Sequence, residues 1–211
     1  MRIVKLLSVA AAMAVVATAL IGVGSASGTT LCKELAEICP EGARYPAGTV
    51  IEAKLRKGTV AKLETSVGTV TCAQSSTVGE TAEESGAPLD GTLTTLIFGE
   101  CKLGSTACTV TVQNLPYLMQ GEEIEPGNGT LVTSNGGSGE PQANVKCGAF
   151  INCNYTQKEL TLNGEGGSPA ILRVEKVELT RLGGFICPKG AVANAEYEVT
   201  NPMPLFASAK P

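Results

Sequence analysis

The sequence predicts an all-β fold, an antiparallel β-sandwich or barrel. Three observations carry that expectation. Apolar and polar residues alternate with period two through most of the chain, turn signals rich in Gly, Pro and Asn cut it into short runs, and no helical spacing occurs after residue 40. No segments of helical length separate the strands, so a parallel α/β sheet is excluded.

In "GTVIEAKLRKGTVAKLET" (48–65), Ile51, Ala53 and Leu55 share one face and Glu52, Lys54 and Arg56 the other. Lys57-Gly58 reads as a tight turn, with Val60 to Thr65 returning. "GTVTC" (68–72) starts another strand. The polar stretch 75–90 reads as a long loop. "GTLTTLIFGEC" and "CTVTVQNLP" are strands on either side of Gly104-Ser105, with Val110 and Val112 inward. "QGEEIEPGNG" (120–129) reads as an acidic loop, "GTLVTS" as a strand and "NGGSGEP" (135–141) as a turn. "QANVKCGAFINCNYT", "KELTLNG", "AILRVEKVELTR", "GGFIC" and "ANAEYEVTN" complete the strands. In the last, Ala195, Tyr197 and Val199 oppose Glu196 and Glu198.

The N-terminus differs. Arg2 and Lys5 precede an uncharged apolar run from Leu6 to Val23, and the small residues 24–28 follow, the pattern of a signal peptide over 1–26. A retained anchor is the competing reading, since the run is near the lower limit for a membrane span. "LCKELAEICP" (31–40) has Leu31, Leu35 and Ile38 at helical spacing, with Thr30 to cap and Pro40 to stop it. A straight helix would hold Cys32 and Cys39 roughly 10 Å apart, too far for a disulfide. A short helical turn that doubles back and closes Cys32–Cys39 is therefore expected within a segment 27–45. The β-rich domain then covers 46–211. "TVTVQNLPYLM" (109–119) echoes "EYEVTNPMPLF" (196–206), so two similar halves, 46–120 and 127–207, are one reading of it.

All eight cysteines, 32, 39, 72, 101, 108, 147, 153 and 187, follow the leader. An even count in an exported chain predicts structural disulfides. The first expected scheme pairs Cys101–Cys108, Cys147–Cys153, Cys72–Cys187 and Cys32–Cys39. The alternative pairs Cys72–Cys101, Cys153–Cys187 and Cys108–Cys147.

The chain has no His and no Trp. Without His, the common bases for a Ser or Cys nucleophile are missing, and no Ser-x-x-Lys or Gly-x-Ser-x-Gly motif occurs. Cysteine spacings of six, six and five residues do not suit zinc. Glu122, Glu123, Glu125 and Asn128 form an acidic group, as do Glu80, Glu83 and Glu84, and both read as solvated surface rather than calcium loops. No catalytic residue, metal ligand or cofactor is assigned. Removing the leader lowers the 16 basic residues to 14 against 20 acidic ones, a net charge of about −6. Such a surface disfavours nucleic acid and anionic membranes as partners.

"RYPAGT" (44–49), "GTVTC" (68–72) and "CTVTVQNLPY" (108–117) resemble recurring motifs in secreted proteins of high-GC actinobacteria for which no activity is established. The resemblance implies a bacterial, secreted β protein and no site. The expected function is an exported, non-enzymatic, disulfide-stabilised β domain. Its role would be structural, surface-associated or binding, with a cell-surface or extracellular protein or glycan as partner. A His-free hydrolase with paired Glu is one alternative, recognisable by two carboxyls facing across a cleft. An exported inhibitor or ligand carrier is another, recognisable by an apolar cavity of several hundred Å³.

Overall fold

The computed structural model describes residues 28–184 and 186–210. The signal peptide expected over 1–26 lies outside the described residues. The strands are β1 (Thr29–Cys32), β2 (Val50–Leu55), β3 (Ala61–Thr65), β4 (Gly68–Thr81), β5 (Ser85–Gly86), β6 (Leu89–Leu103), β7 (Thr106–Gln113), β8 (Tyr117–Glu125), β9 (Asn128–Ser134), β10 (Gln142–Cys147), β11 (Ile151–Thr156), β12 (Leu160–Glu165), β13 (Ile171–Gly183), β14 (Gly190–Asn201) and β15 (Phe206–Ala209).

Most of them make eight long staves. β2 and β3 lie end to end, because both pair antiparallel with β4 on one side and β14 on the other. β7 and β8 run end to end along β6. β10 and β9 pair along β7 and β8, and β11 and β12 along β10 and β9. β13 follows, then β14, whose pairing with β2 and β3 closes the ring. The result is an eight-stranded, antiparallel, up-and-down barrel, which leaves no open edge in the ring. The barrel, one of the two all-β forms expected, is the one adopted.

Continuity of the staves corrects four expectations. Lys57-Gly58 is not a hairpin: Arg56 to Val60 bulge out of a stave that resumes in the same direction, and the Arg56 N–H donates to the Glu196 carbonyl at 2.9 Å. The 135–141 turn is a second such excursion, between β9 and β10. Residues 75–81 are strand rather than loop. Ser75, Thr77, Gly79 and Thr81 point inward while Ser76, Val78 and Glu80 pair outward against β2. Thr and Ser suit a pleated surface as well as a turn, so polarity alone misplaced them. Likewise Glu122, Glu123 and Glu125 lie in β8, and only residues 126 and 127 turn.

The four tight connections at one end carry three disulfides. At the other end β1 and β15 pair across the chain termini, with β5 beside β1, and lie over the barrel as a lid. The lid is tied down by backbone bonds from Gly127 to the Ala207 carbonyl (2.8 Å) and from Gly167 to the Leu205 carbonyl (2.9 Å), and by the Tyr45 hydroxyl to the Pro204 carbonyl (2.6 Å). Glycine is required where the lid meets the rim. A Cβ on Gly166 would sit 2.2 Å from the Gly127 carbonyl oxygen and 2.7 Å from Phe206.

No helix spans 31–39. The register of β1 against β15 pulls Thr29–Cys32 into a strand, overriding the local apolar spacing. The chain does double back, and Cys32–Cys39 closes with Cα atoms 5.8 Å apart, as expected. The one helical turn among the described residues is a 3-10 turn, Glu41–Ala43.

The outer face of the barrel is largely polar, although Val50, Ile97, Leu118 and Leu182 are exposed as well. Thr109, Thr111, Lys146 and Asn152 are exposed there, and ion pairs cross the staves at Arg56–Glu196 (2.6 Å), Arg173–Glu165 (2.8 Å) and Lys54–Glu198 (3.4 Å). Exposed pairs of this kind contribute about 0–1 kcal/mol each, so the core and the disulfides hold the fold.

Candidate ligand cavity

An eight-stranded barrel has an interior just wide enough for side chains to fill or for one small ligand. Which of these occurs depends on the inward residues. Here many are small: Ala53, Ala61, Gly121, Ala143, Ala193 and Ala195 all face in. No Trp exists to fill the space, and only four Phe do. A cavity of about 320 Å³ results, running along the barrel under the lid.

Its walls are apolar. Leu63, Val70, Val110, Val145 and Leu179 line the half toward the disulfides, and Leu93, Met119, Leu131, Leu162 and Leu172 the half toward the lid. Leu31, Leu205 and Phe206 close the lid end. At the opposite end Leu103 and Ile151 pack with the cystines to form the floor.

The cystine arrangement follows from strand register. Cys72, Cys101, Cys108 and Cys147 are consecutive cross-strand partners in one row over four staves. Each residue in an antiparallel sheet directs its N–H and C=O to the same side, so narrow and wide pairs alternate along a row. Cys72–Cys101 and Cys108–Cys147 are the narrow pairs, with Cα separations of 3.9 and 4.1 Å, and are the ones bonded. Cys101 and Cys108, opposite each other across the hairpin, form the intervening wide pair. The first expected scheme is therefore corrected, apart from Cys32–Cys39, which both schemes share. Cys153 bonds Cys187, as the alternative scheme had it, which anchors the β13–β14 connection. All eight cysteines are bonded.

The polar groups inside are hydroxyls. Tyr197 and Ser75 hydrogen-bond at 3.0 Å, and Ser75 Oγ donates to the Ile97 carbonyl at 2.7 Å. Thr77 Oγ1 donates to the Thr95 carbonyl at 3.0 Å. The Tyr117 hydroxyl donates to the Gln113 carbonyl and accepts from the Gln142 N–H at 3.1 Å. Burial raises the pKa of Tyr117, Tyr155 and Tyr197. Backbone hydrogen bonding to Gln142, the Arg181 charge and the Ser75 hydrogen bond respectively offset it only in part. These phenols are thus neutral at physiological pH.

No carboxylate is among the buried residues described. Glu196 and Glu198 are on the outer face in ion pairs, and Glu84 pairs with Arg44 at 3.5 Å. The Glu122, Glu123, Glu125 and Asn128 group flanks the β8–β9 turn from the ends of those two strands, and Asn128 donates to Glu125 at 2.8 Å. Among the described residues no three His, Cys, Asp or Glu side chains converge on a point that could hold a metal.

The fold and cavity define a class: a disulfide-braced, lidded β-barrel with an apolar interior. No family model, curated protein or solved structure matches the chain. Four disulfides indicate an oxidising, non-cytoplasmic compartment. No described helix is long and apolar enough to cross a membrane.

Proposed function

We propose that this chain is an exported, non-enzymatic binding protein that holds one small apolar molecule inside its barrel. The observation that carries the reading is the apolar cavity of about 320 Å³, within the size range of small-molecule sites and closed by a lid at one end and cystines at the other. A barrel needing only a core would fill that space, because packing it with larger side chains would add stability.

Charge on the outside and apolar groups on the inside is the reverse of a lipid-facing barrel, which favours a protein that works in water. The acidic surface argues against nucleic acid, as the composition did. The leader pattern over 1–26 and the disulfides together support export to an oxidising compartment. The paired-Glu hydrolase has no support from the site, where the inward polar groups are hydroxyls.

Titration with N-phenyl-1-naphthylamine, a neutral dye that brightens in apolar surroundings, tests the proposal. Saturable binding at one site per chain is expected. Ala143→Phe and Ala195→Phe fill the cavity and should each weaken that binding by about tenfold or more while the β circular-dichroism signal persists. Absence of dye binding to the wild-type chain would overturn the reading.

A further inference from the structure

We infer that the molecule held in the barrel is uncharged, an alkyl alcohol, ester or similar neutral lipid with an oxygen that accepts a hydrogen bond, and that anionic amphiphiles such as fatty acids are discriminated against. The inference rests on the carrier reading and narrows it.

The cavity lacks charge. The buried polar residues described are all Ser and Thr, joined inside by buried tyrosines, and none carries a charge. Lys62, Glu80, Asp90, Glu122 and Glu165 contribute to the cavity edge, yet all are exposed and occupy outward positions of their strands. Arg181 is the cross-strand partner of Tyr155 and its charge acts on that phenol, but it does not line the cavity and its Nη1 donates to the Cys187 carbonyl at 2.7 Å. A carboxylate enclosed in the half around Thr133 would lose its hydration and gain no cation, and one beside Tyr155 would meet only Arg181, whose donors are already shared with backbone carbonyls. That costs several kcal/mol and is not recovered from apolar contacts on a short chain.

The cavity offers hydroxyls instead. Ser75, Thr77, Tyr117 and Tyr197 already have their partners inside the protein. Tyr155 and Thr133 differ. Both line the cavity, each is 2% exposed, and neither makes a side-chain hydrogen bond to another described residue. Tyr155 faces the half toward the cystines and Thr133 the half toward the lid, so a chain-like molecule can present an oxygen to either. Ser208 Oγ in the lid is the sealed side-chain oxygen without a partner among the described residues. The Tyr155 and Thr133 hydroxyls are not sealed in that way but border open space of the cavity they line, where a ligand oxygen can accept their protons.

The test is competition against bound N-phenyl-1-naphthylamine at about pH 8, where a fatty acid is ionised. Decyl alcohol, methyl decanoate and decanoate are compared on the full protein. The alcohol and ester should displace the dye at concentrations about tenfold or more below those needed for decanoate. Tyr155→Phe and Thr133→Val keep shape and remove a donor. At least one should weaken alcohol and ester binding by about two- to tenfold with dye affinity unchanged. Decanoate binding as well as the alcohol would overturn the inference and leave the carrier reading standing. Failure of the dye itself to bind would remove both. Unchanged alcohol and ester affinity in both hydroxyl variants would overturn the assignment of Tyr155 and Thr133.

Discussion

Replacing Cys108 and Cys147 together by alanine should lower stability by about 4 kcal/mol, and replacing Cys32 and Cys39 together by only about 2.5 kcal/mol. The difference is one of loop length: 39 residues separate the first pair and 7 the second. In the chain-entropy model a longer closed loop removes more freedom from the unfolded chain. Cys72–Cys101 and Cys153–Cys187, at separations of 29 and 34, should fall just below Cys108–Cys147. Urea unfolding of the four double variants ranks them. A Cys32–Cys39 effect equal to the others would contradict the ranking. Peptide mapping without reduction should find Cys72 joined to Cys101, and a Cys101–Cys108 peptide would contradict the narrow-pair assignment.

Val199→Asp should be at least as damaging, with a loss of about 4 kcal/mol or more. Val199 is fully buried, its N–H bonds the Ala170 carbonyl at 2.8 Å, and it sits opposite Ala53 across β14 and β2. No Lys or Arg is among the buried residues described, so none is enclosed with a carboxylate placed there. Stability of a domain is only about 5–15 kcal/mol, so much of the population should unfold at modest denaturant. Thr111→Asp, on the exposed face of β7 opposite Asn144, is the matched control and should change stability by about 0.5 kcal/mol or less. Similar effects from both substitutions in urea unfolding would mean that the inward and outward faces have been misassigned.

That contrast also marks what the chain discloses before it folds. Alternation at Ile51–Leu55, Val110–Val112 and Ala195–Val199 was readable because each apolar residue there faces the interior. Lys57-Gly58 and residues 135–141 were not, because the same residue types make a hairpin turn and an outward bulge. Only pairing of β2 and β3 with the same neighbours separates the two cases. The disulfide count was legible, and the partners were not. Choosing between Cys101–Cys108 and Cys72–Cys101 requires knowing which side each backbone amide faces.

Closure of the barrel joins β14 to β2, with Val199 opposite Ala53, and no local pattern encodes such a distant pairing. The lid is similar: β1 is a strand because the far end of the chain supplies β15. The cavity depends on both, since inward Ala and Gly become empty volume only once the wall closes around them. Tyr155 and Thr133 carried no sequence signal beyond their inward parity.

Methyl NMR of the protein, recorded with and without N-phenyl-1-naphthylamine, tests the central claim most directly. The claim predicts that the methyls of Leu93, Val110, Leu131, Leu162 and Leu172, which line the cavity, shift on adding the dye. The methyls of Val67 and Ile97, which are exposed outside it, should stay in place. Shifts confined to Val67, Ile97 and other exposed methyls, with the interior set unmoved, would contradict it.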